Sequence, residues 1–116
     1  DERKVLAKRY SDGIINPEIK LPGLREKAES IYHQYVVRCA EREDLQRALE
    51  QNGVQTQIHY PIPPHLAKCY AFLGYQRGAY PVTEAYAESV LSLPLYTGMT
   101  FAEQDYVIEQ INAWKP

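Results

Sequence analysis

The chain has 116 residues, of which 45% are hydrophobic and 24% charged, with a formal net charge of -2 and a pI near 5.9. That is room for one domain with a modest core, and it offers no basic field for a phosphate backbone, which argues against nucleic acid as a partner. No apolar run reaches the length of a membrane span, no signal peptide opens the chain, and two cysteines (Cys39 and Cys69) fit a reduced, cytoplasmic setting better than a disulfide scaffold.

Residues 1–15 read as a helix, since Leu6, Tyr10 and Ile14 lie four apart on one face and Asn16-Pro17 ends the pattern. The chain opens on Asp1-Glu2-Arg3-Lys4 inside that pattern, without Met, and so reads as an excised piece with a connecting helix cut at its start. Residues 16–29, with Pro17, Pro22 and Gly23, read as loop. Ile31 to Cys39 reads as a strand whose core face is Ile31, His33, Tyr35, Val37 and Cys39. Residues 42–51 read as a helix. Glu43 and Asp44 suit its positive end, Leu45, Ala48 and Leu49 form its buried stripe, and Asn52-Gly53 stops it.

Val54 to Tyr60 reads as a second strand, ended by Pro61-Ile62-Pro63-Pro64 because proline cannot donate to a ladder. A short helix is predicted over His65 to Phe72, a turn at Gly74 and Gly78, and a helix from Thr83 to about Val90. Ser92-Leu93-Pro94-Leu95 reads as a short edge strand. Thr100 and Glu103 form a capping box that opens the last helix, with Val107, Ile108, Ile111 and Trp114 on its apolar face. The order of elements predicts an α+β fold, a two-layer sandwich of a small, mainly antiparallel sheet with helices on one side. Ten tyrosines against two phenylalanines suit a half-buried or partner-facing surface.

His59-Tyr60-Pro61-Ile62-Pro63-Pro64-His65 is the densest candidate for chemistry. A strand end locked by prolines can hold two side chains in place, with His59 and Tyr60 on opposite sides. The same segment also reads as a plain strand terminator with surface histidines. His33, on the apolar strand face, reads as a core histidine or a site residue. His33, His59, His65, Cys39 and Cys69 could in principle ligate a metal, yet no close pair has ligand spacing, so no metal site is assigned. There is no glycine-rich phosphate loop, and the acidic residues are scattered over helix faces.

An ordered set of pieces carries a resemblance. They are Ile31-Tyr32-His33-Gln34-Tyr35-Val36-Val37-Arg38, Gly53-Val54-Gln55-Thr56, the stretch from Ile58 to His65, Leu73-Gly74-Tyr75, Pro81-Val82-Thr83-Glu84, and Leu91-Ser92-Leu93-Pro94. His-Tyr-Pro-x-Pro followed downstream by Ser-Leu-Pro is the most telling combination. In order and spacing the chain resembles the C-terminal part of the DegT/StrS-type sugar aminotransferases. The resemblance implies that residues 1–116 are the C-terminal small domain of a fold type I aminotransferase, with 1–15 the cut helix and 31–116 the main body. It further implies a missing N-terminal large domain that binds pyridoxal phosphate and carries the Schiff-base lysine, a homodimeric parent, and amino transfer from an amino acid, usually glutamate, to a nucleotide-linked keto sugar. No catalytic residue then falls in this chain. The positions matching the family's His-Tyr, His59 and Tyr60, are expected near the sugar nucleotide or the subunit interface, and His33 is a further substrate-binding candidate. Pro63-Pro64 resembles the branch acting on 3-keto-6-deoxy sugars, while Tyr96 stands where histidine is common after Ser-Leu-Pro. The competing expectation is a non-enzymatic interaction or regulatory module.

Overall fold

A computed structural model describes all 116 residues. In chain order the elements are α1 (Glu2–Gly13), β1 (Tyr35–Arg38), α2 (Arg42–Gln51), two short 3-10 helices (Pro64–Leu66 and Lys68–Leu73), α3 (Pro81–Ser89), β2 (Val90–Leu93) and α4 (Phe101–Ala113). The two strands pair antiparallel, with Tyr35 opposite Leu93, Val36 opposite Ser92, Val37 opposite Leu91 and Arg38 opposite Val90. Single bridges widen the sheet on both sides, Lys20 with Arg38 and Gln57 with Ser92.

Directly opposed residues share a sheet face. Tyr35, Val37, Leu91 and Leu93 therefore form one face, and all four are buried in a core cluster with residues of α1, α2 and α4: Leu6, Ala7 and Tyr10, Leu45 and Leu49, and Val107 and Ile111. Each fully buried aliphatic side chain of this kind stabilises the fold by about 1.5–3 kcal/mol. The opposite face carries Val36, Arg38, Val90 and Ser92. There Tyr86 of α3 lies 4.2 Å from the Arg38 guanidinium.

Polar ties fasten α1 to the rest. The buried Gln104 side chain of α4 donates to the Leu6 carbonyl (2.6 Å) and accepts from Arg9 (3.1 Å). Asn112 donates to the Gly13 carbonyl and accepts from the amides of Ile15 and Asn16, so a side chain of α4 satisfies the free backbone groups where α1 ends. At that crossing a Cβ on Gly13 would meet Ile108 at 2.9 Å, so the close approach depends on glycine. The Tyr10 hydroxyl donates to the Pro94 carbonyl (2.7 Å), and burial raises its pKa.

The helix over 42–51 falls on the predicted residues, with Gly53 in the left-handed region (φ 75) just past its end. Its first residue, Arg42, is buried and donates to the carbonyls of Ala87 and Val90 as α3 gives way to β2. The capping box of α4 forms: the Glu103 amide donates to Thr100 Oγ1 (3.2 Å) and the Thr100 amide to Glu103 Oε2 (2.8 Å).

Five elements differ from the sequence reading. The strand over Ile31–Cys39 shortens to Tyr35–Arg38, because Tyr32 has φ 47 and its alternation breaks there; Ile31 is 79% exposed. Val54–Tyr60 pairs at Gln57 alone, since the prolines that follow cannot continue a ladder and turn the chain away. The segment after Pro63 winds as 3-10 turns, so Leu66 and Tyr70 do not share a face. The third helix begins at Pro81, which suits the first helical position, and it ends one residue before Val90 enters β2. Ser92 also lies in the middle of the sheet, flanked by β1 and Gln57, and not at its edge.

Candidate functional site

The face of the sheet turned away from the core follows from the pairing. Ser92 opposes both Val36 and Gln57, so the side chains of all three share a side, and two-residue alternation adds Gln34 next to Val36 and Gln55 and His59 next to Gln57. Gln34, Gln55, Gln57, His59 and Ser92 line a cleft of about 770 Å³. Gln46 and Glu50 of α2 close one side, and the segment from Leu93 to Tyr96 another. Gln46 donates to Thr56 Oγ1 (3.4 Å) within this wall.

His59 is half-buried, and its Nδ1 lies 2.9 Å from the hydroxyl of the buried Ser92. Tyr60 turns outward, 73% exposed, with its ring edge-on to His59 at 5.4 Å; it does not line the cleft. His33 does line it, but from the surface: its side chain is exposed, contrary to the core face expected for it. One cation organises the rim without entering the cleft. Arg3 Nη1 donates to the carbonyls of His33 (3.0 Å), Leu95 (3.3 Å) and Tyr32 (3.4 Å).

The chemistry of the lining is specific. Glu50 is its one carboxylate, and no lysine or arginine takes part. Beside the apolar Leu93, Pro94 and Leu95, the polar groups of the lining are amide, hydroxyl and imidazole, which both donate and accept and match a hydroxyl-rich, uncharged ligand. A free phosphate would find no counter-charge here. A pyridoxal phosphate site needs a lysine to form its imine, and the chain's lysines are all exposed with none in the cleft, so the residues present do not make one. No group of three or more His, Cys, Asp or Glu side chains is placed to hold a metal ion.

His65 belongs elsewhere. Its Nε2 lies 2.9 Å from Glu84 Oε1, in a pair whose side chains are 7% and 9% exposed, and the Tyr75 and Tyr80 rings stand edge-on to it. Glu84 also accepts from the amides of Gly78 (2.8 Å to each oxygen) and Tyr80 (3.3 Å). The Gly78 amide first and His65 second hold its carboxyl below the ordinary value of 4.5. Cys39 is buried, which raises its thiol pKa, and Cys69 is exposed. No helix is long and apolar enough to cross a membrane.

The residues missed by sequence reasoning are Ser92 and the glutamines. The Gln55-x-Gln57-x-His59 alternation was a usable signal for a polar face. Ser92 stood out only as part of the Ser-Leu-Pro piece of the resemblance, and nothing in the sequence tied it to His59, 33 positions away.

Comparison with known proteins places the chain. The profile of the DegT/DnrJ/EryC1/StrS aminotransferase family matches residues 1–112. The chain is 43% identical over 112 residues to the erythromycin biosynthesis sensory transduction protein EryC1 of Saccharopolyspora erythraea, covering 96% of this chain and 31% of that protein. It is 38% identical over 112 residues to a dTDP-3-amino-3,6-dideoxy-alpha-D-galactopyranose transaminase of Aneurinibacillus thermoaerophilus, covering 97% and 30%. Its fold superposes on DesV from S. venezuelae, solved in complex with a ketimine intermediate, with a TM-score of 0.94 at 32% identity, covering 97% of this chain and 31% of DesV. The chain thus spans about a third of the length of the relatives it matches.

Proposed function

Because the chain belongs to the DegT/DnrJ/EryC1/StrS aminotransferase family, we propose that it is the C-terminal small domain of a sugar aminotransferase and contributes the sugar-facing wall of that enzyme's substrate cleft. The parent is a cytoplasmic homodimer that moves an amino group from glutamate to a keto carbon of a nucleotide-linked sugar. Pyridoxal phosphate supplies the electron sink for that exchange and is held by the part of the parent outside this chain. His59 and His33 contact the sugar, and Tyr60 meets the neighbouring large domain or subunit.

The observation that carries this reading is the polar part of the cleft lining: amide, hydroxyl and imidazole groups with a single carboxylate and no cation. Such a surface binds hydroxyls well and phosphates poorly. The A. thermoaerophilus relative supports the reading, since its name is that of a transaminase of a dTDP-linked amino sugar. The exposed Phe72, Leu73 and Val82 support a face that packs against the rest of the parent.

The test is to express the whole reading frame that contains this chain, load it with pyridoxal phosphate, and supply glutamate with dTDP-3-keto-6-deoxyglucose. Formation of the 3-amino sugar is expected, and the 116-residue chain alone should give none. No amino transfer to any nucleotide-linked keto sugar by the loaded parent would remove the enzyme reading. It would favour a regulatory module, in line with the sensory transduction role in the name of the S. erythraea relative.

A further inference from the structure

We propose that Ser92 is a positioning residue: its hydroxyl donates to His59 Nδ1 and holds His59 as the Nε2–H tautomer, which presents a hydrogen-bond donor to an uncharged, hydroxylated group in the cleft. The second half rests on the sugar-aminotransferase reading; the first half does not.

The direction of the bond follows from what each partner has left. Ser92 is buried at the centre of the sheet, and its backbone is fully used, its amide donating to the Gln57 carbonyl (2.7 Å) and its carbonyl accepting from the Gln57 amide (3.2 Å). Its hydroxyl has one partner, His59 Nδ1 at 2.9 Å. If Nδ1 carried the proton and donated to Ser92, the hydroxyl proton would have no protein acceptor and would have to turn into the cleft. If Ser92 donates, its proton is satisfied, Nδ1 acts as the acceptor, and a neutral imidazole must then carry its proton on Nε2. Nε2 has no protein partner, and the one buried side-chain polar atom left unpartnered in the chain is Trp114 Nε1, so Nε2 is open to solvent on a residue that lines the cleft.

The consequence for chemistry is definite. A histidine with Nε2–H toward the cleft cannot take a proton at that nitrogen, so Nε2 of His59 faces a ligand as a donor and not as a general base. It donates to an oxygen, and the glutamine amides around it supply the complementary acceptors and donors that sugar hydroxyls need. The ring is held in orientation by β2, a rigid element, while the ligand meets its free edge.

The experiment uses the 116-residue chain with 15N-labelled histidine and two-bond 1H–15N correlation at about pH 8.5, roughly two units above the ordinary histidine range. His59 is expected to show the Nε2–H pattern, with its two ring nitrogens widely separated in shift. His33, exposed and without a ring partner, should show the averaged pattern of a free imidazole and serves as the internal control. In Ser92→Ala the separation at His59 should collapse toward that of His33, and in Ser92→Thr it should persist. An Nδ1–H pattern in the unsubstituted chain would overturn the assignment without any variant needing to fold, and so would an unchanged pattern in Ser92→Ala. The ligand class is read in the same spectra. Methyl α-D-glucopyranoside should shift His59 Nε2, and inorganic pyrophosphate, standing for the nucleotide's phosphates, should not. The Nε2–H pattern with no response to the glycoside would leave the Ser92 assignment intact and overturn the sugar contact. A response to pyrophosphate alone would overturn the uncharged ligand class.

Discussion

Two halves of this small domain are held together by different physics. In one, α1, α2 and α4 close over β1 and β2, and the contact is apolar: Leu6, Tyr10, Tyr35, Leu45, Leu49, Leu91 and Ile111 are all buried. In the other, residues 68–83 contain no buried side chain at all, although Phe72 is 80% exposed and Val82 70%. Order in this arm comes from hydrogen bonds, above all those that converge on Glu84. The lesson is that hydrophobic residues do not by themselves make a core. They need an opposing layer, and the arm has none within this chain.

Substitutions can break or sharpen that contrast. Leu91→Ala in the sheet centre should lower the free energy of unfolding by about 2–5 kcal/mol, read from urea denaturation. A loss well below that would mean the core is looser than the burial of Leu91 implies. Thr100→Ala removes the capping box of α4 and should cost about 1 kcal/mol in the same assay.

Glu84→Ala should leave the denaturation midpoint nearly unmoved while the Gly78 and Tyr80 amides lose protection in hydrogen exchange. Acid should do the same. Because the Glu84 carboxyl sits below its ordinary value of 4.5, its contribution is present above that value and is lost as pH falls through the lowered one. Following the Gly78 amide resonance downward from neutral pH checks the sign; release on raising the pH would contradict it. Phe72→Ala should change stability by less than about 0.5 kcal/mol. A large loss there would show that the arm has packing partners after all.

The same contrast explains what the sequence could and could not reveal. The helix over 42–51 was legible because its start and stop signals are local: Glu43 and Asp44 in the first turn, Asn52-Gly53 after the last. The Thr100–Glu103 box was legible for the same reason. Local signals fail where a distant partner decides. Nothing near Ser92 states that β1 and Gln57 flank it, so an edge position was the natural expectation for a strand that is central. Nothing near His33 states that Arg3, 30 positions away, captures its carbonyl, or that the strand begins only at Tyr35. In the arm, Leu66 and Tyr70 have helical spacing, but with no layer to pack on, the chain takes 3-10 turns. His59 was visible as a candidate because prolines mark the end of its strand, whereas the hydroxyl that orients it was not.

Arg3 has a mechanical meaning as well. One guanidinium in the first turn of α1 grips the carbonyls of His33 and Leu95, two neighbouring residues of the cleft lining. A single donor on a helix of the core thus ties that helix to the backbone at the rim of the cleft, and losing it would release both carbonyls together.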